Sequence, residues 1–350
     1  MSGQIDEFRG LLAKVGTGAS LTRPEAERAF DIMTSGDATP AQVGAFLMAL
    51  RVRGESVEEL AGGASVLRAK VLRVQAPAGT IDIVGTGGDH HGTHNVSTAT
   101  ALVVAGCGVP VAKHGNRAFT SKSGAGDVLS ALGIGMDVPV PDLERSLREA
   151  GICFLMAPRH HSAMRNVAGP RVELAPTRTI FNLLGPLSNP ALVARQLVGV
   201  YDRKWVRPMA EALGQLGLER AMVVHGADGM DEITTTTTSW AAEMTRDGDG
   251  AVSVREFEIA PELAGLPRAK IEDLRGGDPS YNAAAIRRLL AGETGALRDI
   301  VLLNAAAALQ VAGKASDFGA GAAMAAEAIS SGRALRSLET MAAICGPRPG

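Results

Sequence analysis

A strand–glycine–helix pattern occurs twice between residues 81 and 133, and it constrains the fold more than any other feature of this chain. An apolar strand at 80–84 ends abruptly at the glycine-rich turn 85–88. A second apolar strand at 109–112 is followed by the basic, hydroxyl-rich turn 113–126. Strands that alternate with helices predict a mainly parallel sheet covered by helices. Ligands of such sheets bind outside the carboxyl ends of the strands, which is where both turns lie.

Both turns have the chemistry of phosphate-binding loops. Glycines let the backbone approach a ligand closely, and the free N–H groups of a following helix favour an anion. Asn95, Ser97 and Thr98 lie where helix 97–106 is expected to begin. A tight turn with an ordinary helix cap explains the first turn alone equally well. The second turn favours a ligand, because three cations and three hydroxyls cluster at a strand end: Lys113, Arg117, Lys122, Thr120, Ser121 and Ser123.

Two common phosphate motifs do not fit these turns. The dinucleotide fingerprint requires a glycine where His90 stands, and no acidic residue follows about twenty residues later. The P-loop motif fails because Ala315 follows Gly313-Lys314 and position 308 is not glycine. We therefore exclude a nicotinamide site and a nucleoside triphosphatase.

Length, charge and cysteine usage restrict the class of protein further. The 350 residues are enough for about two domains. A formal net charge of −2 gives no support for binding to nucleic acid or to an anionic membrane. Cys107, Cys153 and Cys345 are too few and too far apart for a disulfide framework, which is typical of a reducing cytoplasm. Without a signal peptide or an uncharged run of roughly 18 residues, a cytoplasmic location is expected.

Residues 1–75 are predicted to be entirely helical. Capping boxes that begin at Thr22, Thr39 and Ser56 mark three helix starts. Pro40 falls at the first position of the second of these helices, where a missing N–H costs least. The sequence thus predicts a small helical unit before the first strand.

From residue 80 onward the chain alternates between strands and helices. The strand candidates are 80–84, 109–112, 152–156, 196–201, 221–225 and 300–303, and the helix candidates include 97–106, 127–133, 141–150 and 204–216. Segment 252–259 alternates with one slip of phase, which predicts a bulged strand. Residues 281–340 are mostly alanine-rich helix, and the five threonines at 234–238 are predicted to be a strand or a loop.

Asp231 and Glu232 are a candidate magnesium site. They follow the predicted strand 221–225, and adjacent carboxylates at a strand end suit Mg²⁺, which often shares such ligands with substrate phosphates. A solvated acidic turn is the alternative when the pair is considered alone. Together with two phosphate loops, the metal site is the better interpretation.

Arginine and histidine are concentrated in a few other places. Four arginines lie in the irregular segment 157–190, and a guanidinium group can bind a carboxylate in a bidentate fork: Arg159, Arg165, Arg171 and Arg178. The five clustered histidines do not have the spacing of a zinc site, so we predict no zinc: His90, His91, His94, His160 and His161.

Six segments, in order along the chain, resemble the anthranilate phosphoribosyltransferase family. They are GTGGD at 85–89, NVST at 95–98, KHGNR at 113–117, SKSGAGDVL at 121–129, RTIFNLLGPLSNP at 178–190 and HGADGMDEI at 225–233. GGDPSYNAAAIRRLLAG at 276–292 and RDIVLLNAAAALQVAGKA at 298–315 extend the resemblance to nearly the whole chain. One such motif would be weak, but six in order are highly specific.

The resemblance implies an architecture and a reaction. It implies a small N-terminal all-helical domain, 1–75, completed by helices from about 165–190, and a larger α/β domain, 76–345, with a mainly parallel sheet flanked by helices. It further implies a homodimer formed through the helical domain and a Mg²⁺-dependent transfer in tryptophan biosynthesis. The 5-phosphoribosyl group of 5-phospho-α-D-ribose 1-diphosphate (PRPP) would pass to anthranilate, with release of pyrophosphate.

The resemblance also assigns site residues by matching position. Those implied for PRPP are Gly85, Thr86, Gly87, Gly88, Asp89, Thr93, Asn95, Ser97, Thr98, Lys113 and Ser123, with a further serine ligand near position 125 left unassigned. Those implied for anthranilate are Gly85, His114, Asn116 and Arg171, with Arg171 on the carboxylate. Those implied for Mg²⁺ are Ser97, Asp231 and Glu232. No residue is assigned as an acid, base or nucleophile.

The chain departs from the family pattern at several positions. His94 replaces a usually apolar residue, His91 adds an imidazole, Ser162 replaces a usual proline, and 234–240 lacks a Gly-Pro pair. None of these changes removes an expected ligand.

Two alternative functions compete with the transferase. A pyrimidine nucleoside phosphorylase shares the implied architecture, but KHGN followed by RTIFNLLGPL favours the transferase. A non-catalytic homologue that binds nucleic acid is disfavoured by the balanced charge, by an aromatic content of only 3% and by the intact acidic pair.

Overall fold

The structure is a computed structural model that describes residues 2–87, 92–118 and 123–347. A small N-terminal helical domain precedes a larger α/β domain. The helices are α1 (Ser2–Gly16), α2 (Arg23–Ser35), α3 (Pro40–Arg53), α4 (Val57–Ala69), α5 (Val96–Gly106), α6 (Ala125–Ala131), α7 (Val140–Glu149), α8 (Ala157–His160), α9 (Ala168–Glu173), α10 (Phe181–Leu184), α11 (Val206–Gln215), α12 (Pro279–Leu290), α13 (Ala296–Val311), α14 (Phe318–Ser330) and α15 (Arg333–Cys345).

The three predicted capping boxes are confirmed at the starts of α2, α3 and α4. At Thr39 the backbone N–H donates to Gln42 Oε1 at 2.9 Å, and the Gln42 N–H donates to Thr39 Oγ1 at 3.3 Å. Each box satisfies backbone donors that a helix start leaves unpaired. Local sequence therefore determines where these helices begin.

An aromatic cluster holds the helical domain together and draws in a later segment. The Phe8 and Phe30 rings lie 5.4 Å and 6.2 Å from the ring of Phe46, and Phe181 of α10 packs edge-on against Phe30 at 5.8 Å. Burying each such ring contributes about 1.5–3 kcal/mol. Residues 162–184 accordingly return to the helical domain, with α9 against α3 and α10 against α4.

One seven-stranded sheet forms the centre of the α/β domain, in the order β3-β2-β1-β4-β5-β6-β7. Its strands are β1 (Ile81–Gly85), β2 (Val111–Gly115), β3 (Ile152–Met156), β4 (Arg195–Gly199), β5 (Arg220–Gly226), β6 (Ser239–Arg246) and β7 (Val252–Ile259). The first five are parallel, whereas β6 and β7 run antiparallel at one edge. The strand order reverses between β1 and β4, which makes their carboxyl ends the expected ligand crevice.

Strands β1 to β5 and helices α5, α6, α7 and α11 confirm the corresponding predictions. The predicted strand at 300–303 is wrong, because this run lies inside α13. Helix α13 is buried on nearly all sides, and a short apolar run of that kind does not distinguish a strand from a core helix.

Two further details of the sheet differ from the prediction. Strand β6 was not predicted, and the threonine run before it, 234–238, is a loop. The predicted bulge in 252–259 is wrong, because all eight residues of β7 pair one-to-one with β6. β7 is an edge strand with mostly exposed side chains, so its apolar residues need not share one face.

No helix in the described part of the chain has the length and hydrophobicity required to span a bilayer.

Candidate active site

Two glycines form a floor at the reversal point of the sheet. Gly85 ends β1, Gly199 ends β4, and the two are paired in register. The turn that carries Asp231 and Glu232, here called the acidic turn, follows β5 and lies directly against these two glycines. A Cβ at Gly199 would overlap the carbonyl oxygen of Asp231, and a Cβ at Gly85 would lie 2.5 Å from Asp231 Oδ2. Only glycine at both strand ends lets the acidic turn lie this close to the sheet.

The acidic turn is hydrogen-bonded to the first glycine-rich turn and to the start of α5. Gly87 N–H donates to Asp231 Oδ2 at 2.6 Å, and Ser97 N–H donates to Glu232 Oε1 at 3.1 Å. Ser97 lies in the first turn of α5, where the helix dipole favours negative charge. The structure thus brings Ser97, Asp231 and Glu232 together.

Lys113, which is buried on β2, completes this cluster. Its Nζ donates to the Ile83 carbonyl at 2.7 Å and to Ser97 Oγ at 3.2 Å. Burial lowers the pKa of Lys113, although the nearby carboxylates of Asp82, Glu232 and Asp231 oppose that change. A cation therefore lies beside two carboxylates at the end of the central strands.

The chemistry of this cluster fits a hard divalent cation. Two carboxylates and one hydroxyl are oxygen donors of the kind that Mg²⁺ prefers. In the described residues no group of three or more His, Cys, Asp or Glu side chains could hold a metal ion. A cation here would therefore need oxygen ligands from water or from a bound phosphate.

The remaining residues predicted around the first turn differ in how they are held. The Tyr201 N–H donates to Thr86 Oγ1 at 3.0 Å, and Thr93 forms an isolated bridge with Arg275. Thr98 is buried in α5, and its hydroxyl has no hydrogen-bond partner in the described part of the chain. The predicted ligands Gly88 and Asp89 lie outside the described residues, as do His90, His91, Thr120, Ser121 and Lys122.

Asn95 and Ser123 connect the start of α5 to the second glycine-rich turn. Asn95 Nδ2 donates to the Ser123 carbonyl at 3.1 Å, and Ser123 Oγ donates to Asn95 Oδ1 at 3.2 Å. One side chain at the start of α5 is therefore bonded to the turn that precedes α6.

Two buried imidazoles lie beyond the end of β2. The rings of His114 and His161 are 5.1 Å apart, and Nε2 of each lacks a hydrogen-bond partner among the described residues. Burial lowers the pKa of His114 well below its usual value and that of His161 to about 4. Both rings are therefore neutral at pH 7, and each has an unused nitrogen. His161 was not predicted as a site residue, and the only sequence signal for it was the adjacent pair 160–161.

Asn116 and Arg171 are held less tightly than the residues of the acidic cluster. Asn116 Oδ1 accepts the N–H of Arg117 at 2.8 Å. Arg171, on α9, is half-buried with its guanidinium 5.1 Å from the centre of the Phe181 ring. Within residues 2–87, 92–118 and 123–347, no carboxylate pairs with Arg171, and no hydrogen bond joins it to His114 or Asn116. Burial lowers the pKa of Arg171.

The other three arginines of the irregular segment are engaged elsewhere. Arg159 pairs with Asp137, Arg165 Nε donates to the Ser162 carbonyl at 3.1 Å, and Arg178 stacks 3.9 Å above the Tyr201 ring. Arg171 is therefore the best candidate among the four for an anionic ligand.

Sequence reasoning missed two buried polar residues that support the site. Asn304 of α13 accepts the Ile233 N–H at 3.0 Å and donates to the Ile233 carbonyl at 2.8 Å, directly after the acidic pair. Asp82 of β1 accepts the His114 N–H at 3.1 Å, and burial raises its pKa to about 6. A lone polar residue within an otherwise apolar strand or helix was the available signal for both.

Known proteins match this chain over nearly its full length. Residues 9–71 match the helical bundle domain of a glycosyl transferase family, and residues 78–335 match its a/b domain. Anthranilate phosphoribosyltransferase of Rhodospirillum rubrum is 59% identical over 341 residues, which cover 97% of this chain and 96% of that protein. The chain belongs to the anthranilate phosphoribosyltransferase family.

Solved structures of anthranilate phosphoribosyltransferases have the same fold. The enzyme from Thermus thermophilus is 41% identical and superposes with a TM-score of 0.89 over 96% of this chain and 99% of that one. The enzyme from Saccharomyces cerevisiae in complex with PRPP and Mg is 28% identical, with a TM-score of 0.86 over 97% of each chain. These likenesses extend over both the helical and the α/β domains.

Proposed function

We propose that this chain transfers the 5-phosphoribosyl group of PRPP to the amine of anthranilate, giving N-(5-phosphoribosyl)anthranilate and pyrophosphate in tryptophan biosynthesis. The observation that carries the proposal is the cluster of Lys113, Ser97, Asp231 and Glu232 at the reversal point of the sheet. Family membership and the yeast relative solved with PRPP and Mg support the same activity.

The donor side is the part of the site that would bind PRPP. We assign to it Gly85, Thr86, Gly87, Gly88, Asp89, Thr93, Asn95, Ser97, Thr98, Lys113 and Ser123. Its support is the bond from Asn95 at the start of α5 to the second turn, together with the positive end of α5, since helix N-termini favour phosphate. The acidic pair alone would repel a phosphate, so a divalent cation is needed between them.

Ser97, Asp231 and Glu232 would hold that cation, which we propose is Mg²⁺. When bound, Mg²⁺ would supply positive charge to the pyrophosphate as it leaves. The residues themselves determine where the charge lies, because Gly87 and Ser97 hold the two carboxylates by their N–H groups.

The acceptor side is the part that would bind anthranilate. We assign to it Gly85, His114, Asn116 and Arg171, and we add His161. Arg171 would bind the carboxylate, and its support is a half-buried guanidinium with no carboxylate partner in the described residues. The neutral imidazoles offer unused nitrogen atoms to a polar aromatic ligand.

The reaction then needs no nucleophilic side chain. The amine of anthranilate is already neutral at pH 7; its nitrogen bonds to C1 of the ribose as the C1–O bond to pyrophosphate breaks, and it then releases one proton. Lys113 and the N-terminal end of α5 stabilise the negative charge that develops on the leaving group. Holding the amine in line with C1 contributes up to roughly 7–11 kcal/mol.

We further propose a cytoplasmic homodimer that associates through the helical domain. Val52 of α3 is 82% exposed and Val172 of the adjacent α9 is 59% exposed, so neighbouring helices of this domain each present an apolar side chain to a partner. The three cysteines are all free, as is usual in a reducing compartment. Light scattering should give twice the mass of one chain, and a monomer at micromolar concentration would contradict the dimer.

A fluorescence assay tests the activity. Protein, PRPP and Mg²⁺ are mixed with anthranilate, and the fluorescence of anthranilate is followed. We expect a loss that requires all three components and stops when Mg²⁺ is chelated. No Mg²⁺-dependent loss would overturn the proposal, and phosphorolysis of thymidine or uridine would favour the nucleoside phosphorylase instead.

A further inference from the structure

The Asn95 side chain links the start of α5 to the second glycine-rich turn. Its Oδ1 accepts a hydrogen bond from Ser123 Oγ, and its Nδ2 donates to the Ser123 carbonyl. An amide that is rotated by 180° would exchange the donor and the acceptor and lose both bonds. The orientation of the Asn95 amide therefore determines how the start of α5 meets the second turn.

A residue outside the assigned site determines that orientation. Asn282 of α12, which is 1% exposed, donates from Nδ2 to Asn95 Oδ1 at 2.9 Å. The Asn282 amide cannot rotate either, because its Oδ1 accepts the Gly277 N–H at 2.8 Å. A backbone donor thus fixes Asn282, and Asn282 in turn presents a donor to Asn95.

The backbone around Asn282 packs closely against the chain leading into Asn95. Gly276 N–H donates to the Gly92 carbonyl at 2.9 Å, and His94 N–H donates to the Leu274 carbonyl at 3.1 Å. A Cβ on Gly276 would lie 2.6 Å from the Thr93 carbonyl oxygen. The His94 ring stacks on Tyr281 with the centroids 5.7 Å apart. Segment 274–282 therefore packs against residues 92–95, which lead into α5.

From this chain of contacts we infer that Asn282 is a positioning residue for PRPP: it orients the Asn95 amide so that the start of α5 and the second turn face the donor substrate. The inference rests on the proposed function and deepens it. Within the described residues, the hydrogen bonds of the Asn282 amide to Asn95 and Gly277 do not lead to His114 or Arg171, so we expect Asn282 to act on the donor side alone.

Two substitutions distinguish orientation from simple packing. Asn282→Ala removes the donor, and we expect the KM for PRPP to rise about tenfold, the usual effect of losing one buried hydrogen bond near a ligand. Asn282→Asp preserves the shape but places an acceptor opposite Asn95 Oδ1, so Asn95 must rotate. We expect a larger rise for Asn282→Asp, with the KM for anthranilate unchanged in both variants.

A control variant measures what a lost buried hydrogen bond does on its own. Ser146 of α7 is fully buried beside the edge strand β3, and its Oγ donates to the Ile152 carbonyl at 2.6 Å. Ser146→Ala should lower the melting temperature without changing either KM. Asn282→Ser is the smaller change to use if the other two variants do not fold, and it should also raise only the KM for PRPP.

Calorimetry with PRPP and Mg²⁺ separates the possible failures. If the unaltered protein binds PRPP and the Asn282 variants bind it more weakly, the inference stands. If the unaltered protein and the variants bind PRPP equally, or if both KM values rise together, Asn282 is only a packing residue. If the unaltered protein does not bind PRPP, the proposed function fails and this inference fails with it.

Discussion

The donor and acceptor sides of the site differ in how their polar atoms are satisfied. On the donor side, Asp231, Glu232, Lys113 and Asn95 are bonded to backbone or to one another, with the Thr98 hydroxyl as an exception among the assigned residues. On the acceptor side, within the described chain, Nε2 of His114 and of His161 has no hydrogen-bond partner and Arg171 pairs with no carboxylate. Unpaired buried polar atoms destabilise a protein, and a ligand that pairs with them removes that cost. The proposed donor side is thus organised by the protein itself, and the proposed acceptor side would be completed by its ligand.

The largest effect should come from breaking the donor side at Asp231. Asp231→Asn preserves the size of the side chain and an acceptor for the Gly87 N–H but removes the charge that would hold Mg²⁺. We expect kcat/KM to fall about 10²–10³-fold and the Mg²⁺ concentration required for half-maximal rate to rise. Initial rates measured across a Mg²⁺ titration provide the test.

A matched variant controls for net charge in that experiment. Glu256→Gln removes one negative charge from an exposed position on β7, where the carboxylate pairs with Arg207. It should leave the Mg²⁺ requirement unchanged. An unchanged Mg²⁺ requirement in Asp231→Asn would remove that residue from the proposed metal site.

A smaller effect is expected from breaking the acceptor side at Arg171. Arg171→Ala should raise the KM for anthranilate about 10–100-fold, because a hydrogen bond to a charged group contributes about 1.5–3 kcal/mol. The KM for PRPP should change little. Arg165→Ala is the control, since Arg165 is an exposed neighbour whose side chain, among the described residues, bonds to the Ser162 carbonyl alone. Equal increases in both KM values for Arg171→Ala would contradict its assignment to the anthranilate carboxylate.

The smallest effect concerns acid stability, in which the two kinds of buried group act in opposite directions. The pKa of His161 is lowered by burial to about 4, so the unfolded chain binds more protons between pH 4 and the unfolded pKa of about 6.5. The free energy of unfolding is therefore highest above that range, and protonation of His161 in the unfolded chain lowers it as the pH falls through the range. Burial raises the pKa of Asp82 to about 6. Asp82 therefore acts in the opposite direction to His161, because its contribution to the free energy of unfolding falls as the pH rises from about 3.9 to 6.

Urea unfolding at pH 7 and pH 5.5 measures this balance. Relative to pH 7, His161 alone should destabilise the protein by about 1 kcal/mol at pH 5.5. His114 and His160, whose pKa values burial also lowers, should add to that loss. His161→Gln should reduce the difference between the two pH values. The same difference in both proteins would mean that His161 does not contribute.

The sequence predicted the elements of this fold best where the signals were local. Capping boxes at Thr22, Thr39 and Ser56 mark helix starts because the hydrogen bonds that define them span only three residues. The run at 300–303 was assigned to a strand because periodicity does not separate a short buried strand from a fully buried helix. Strand β6 was missed because its sequence, SWAAEMTR, has few β-branched residues and includes the buried Glu243, so it lacks the usual signals of a strand.

The residues of the candidate site also divide into those with a local sequence signal and those without one. Residues on the glycine-rich turns could be proposed from their chemistry and from their place in the family motifs. Asn304 and Asn282 were not, because each acts through one hydrogen-bonding partner far away in sequence, at Ile233 and Asn95 respectively. A contact of that kind leaves only a lone buried asparagine as its trace in the sequence.

The two glycines at the ends of β1 and β4 have a practical consequence for redesign. Gly199 touches no proposed ligand, yet a side chain there would collide with the backbone that carries Asp231. A designer who grafts the acidic turn onto another parallel sheet must therefore transfer the bare end of β4 with it. A search for remote relatives should require both features together. An Asp-Glu pair without a glycine at the end of the neighbouring strand indicates a different site.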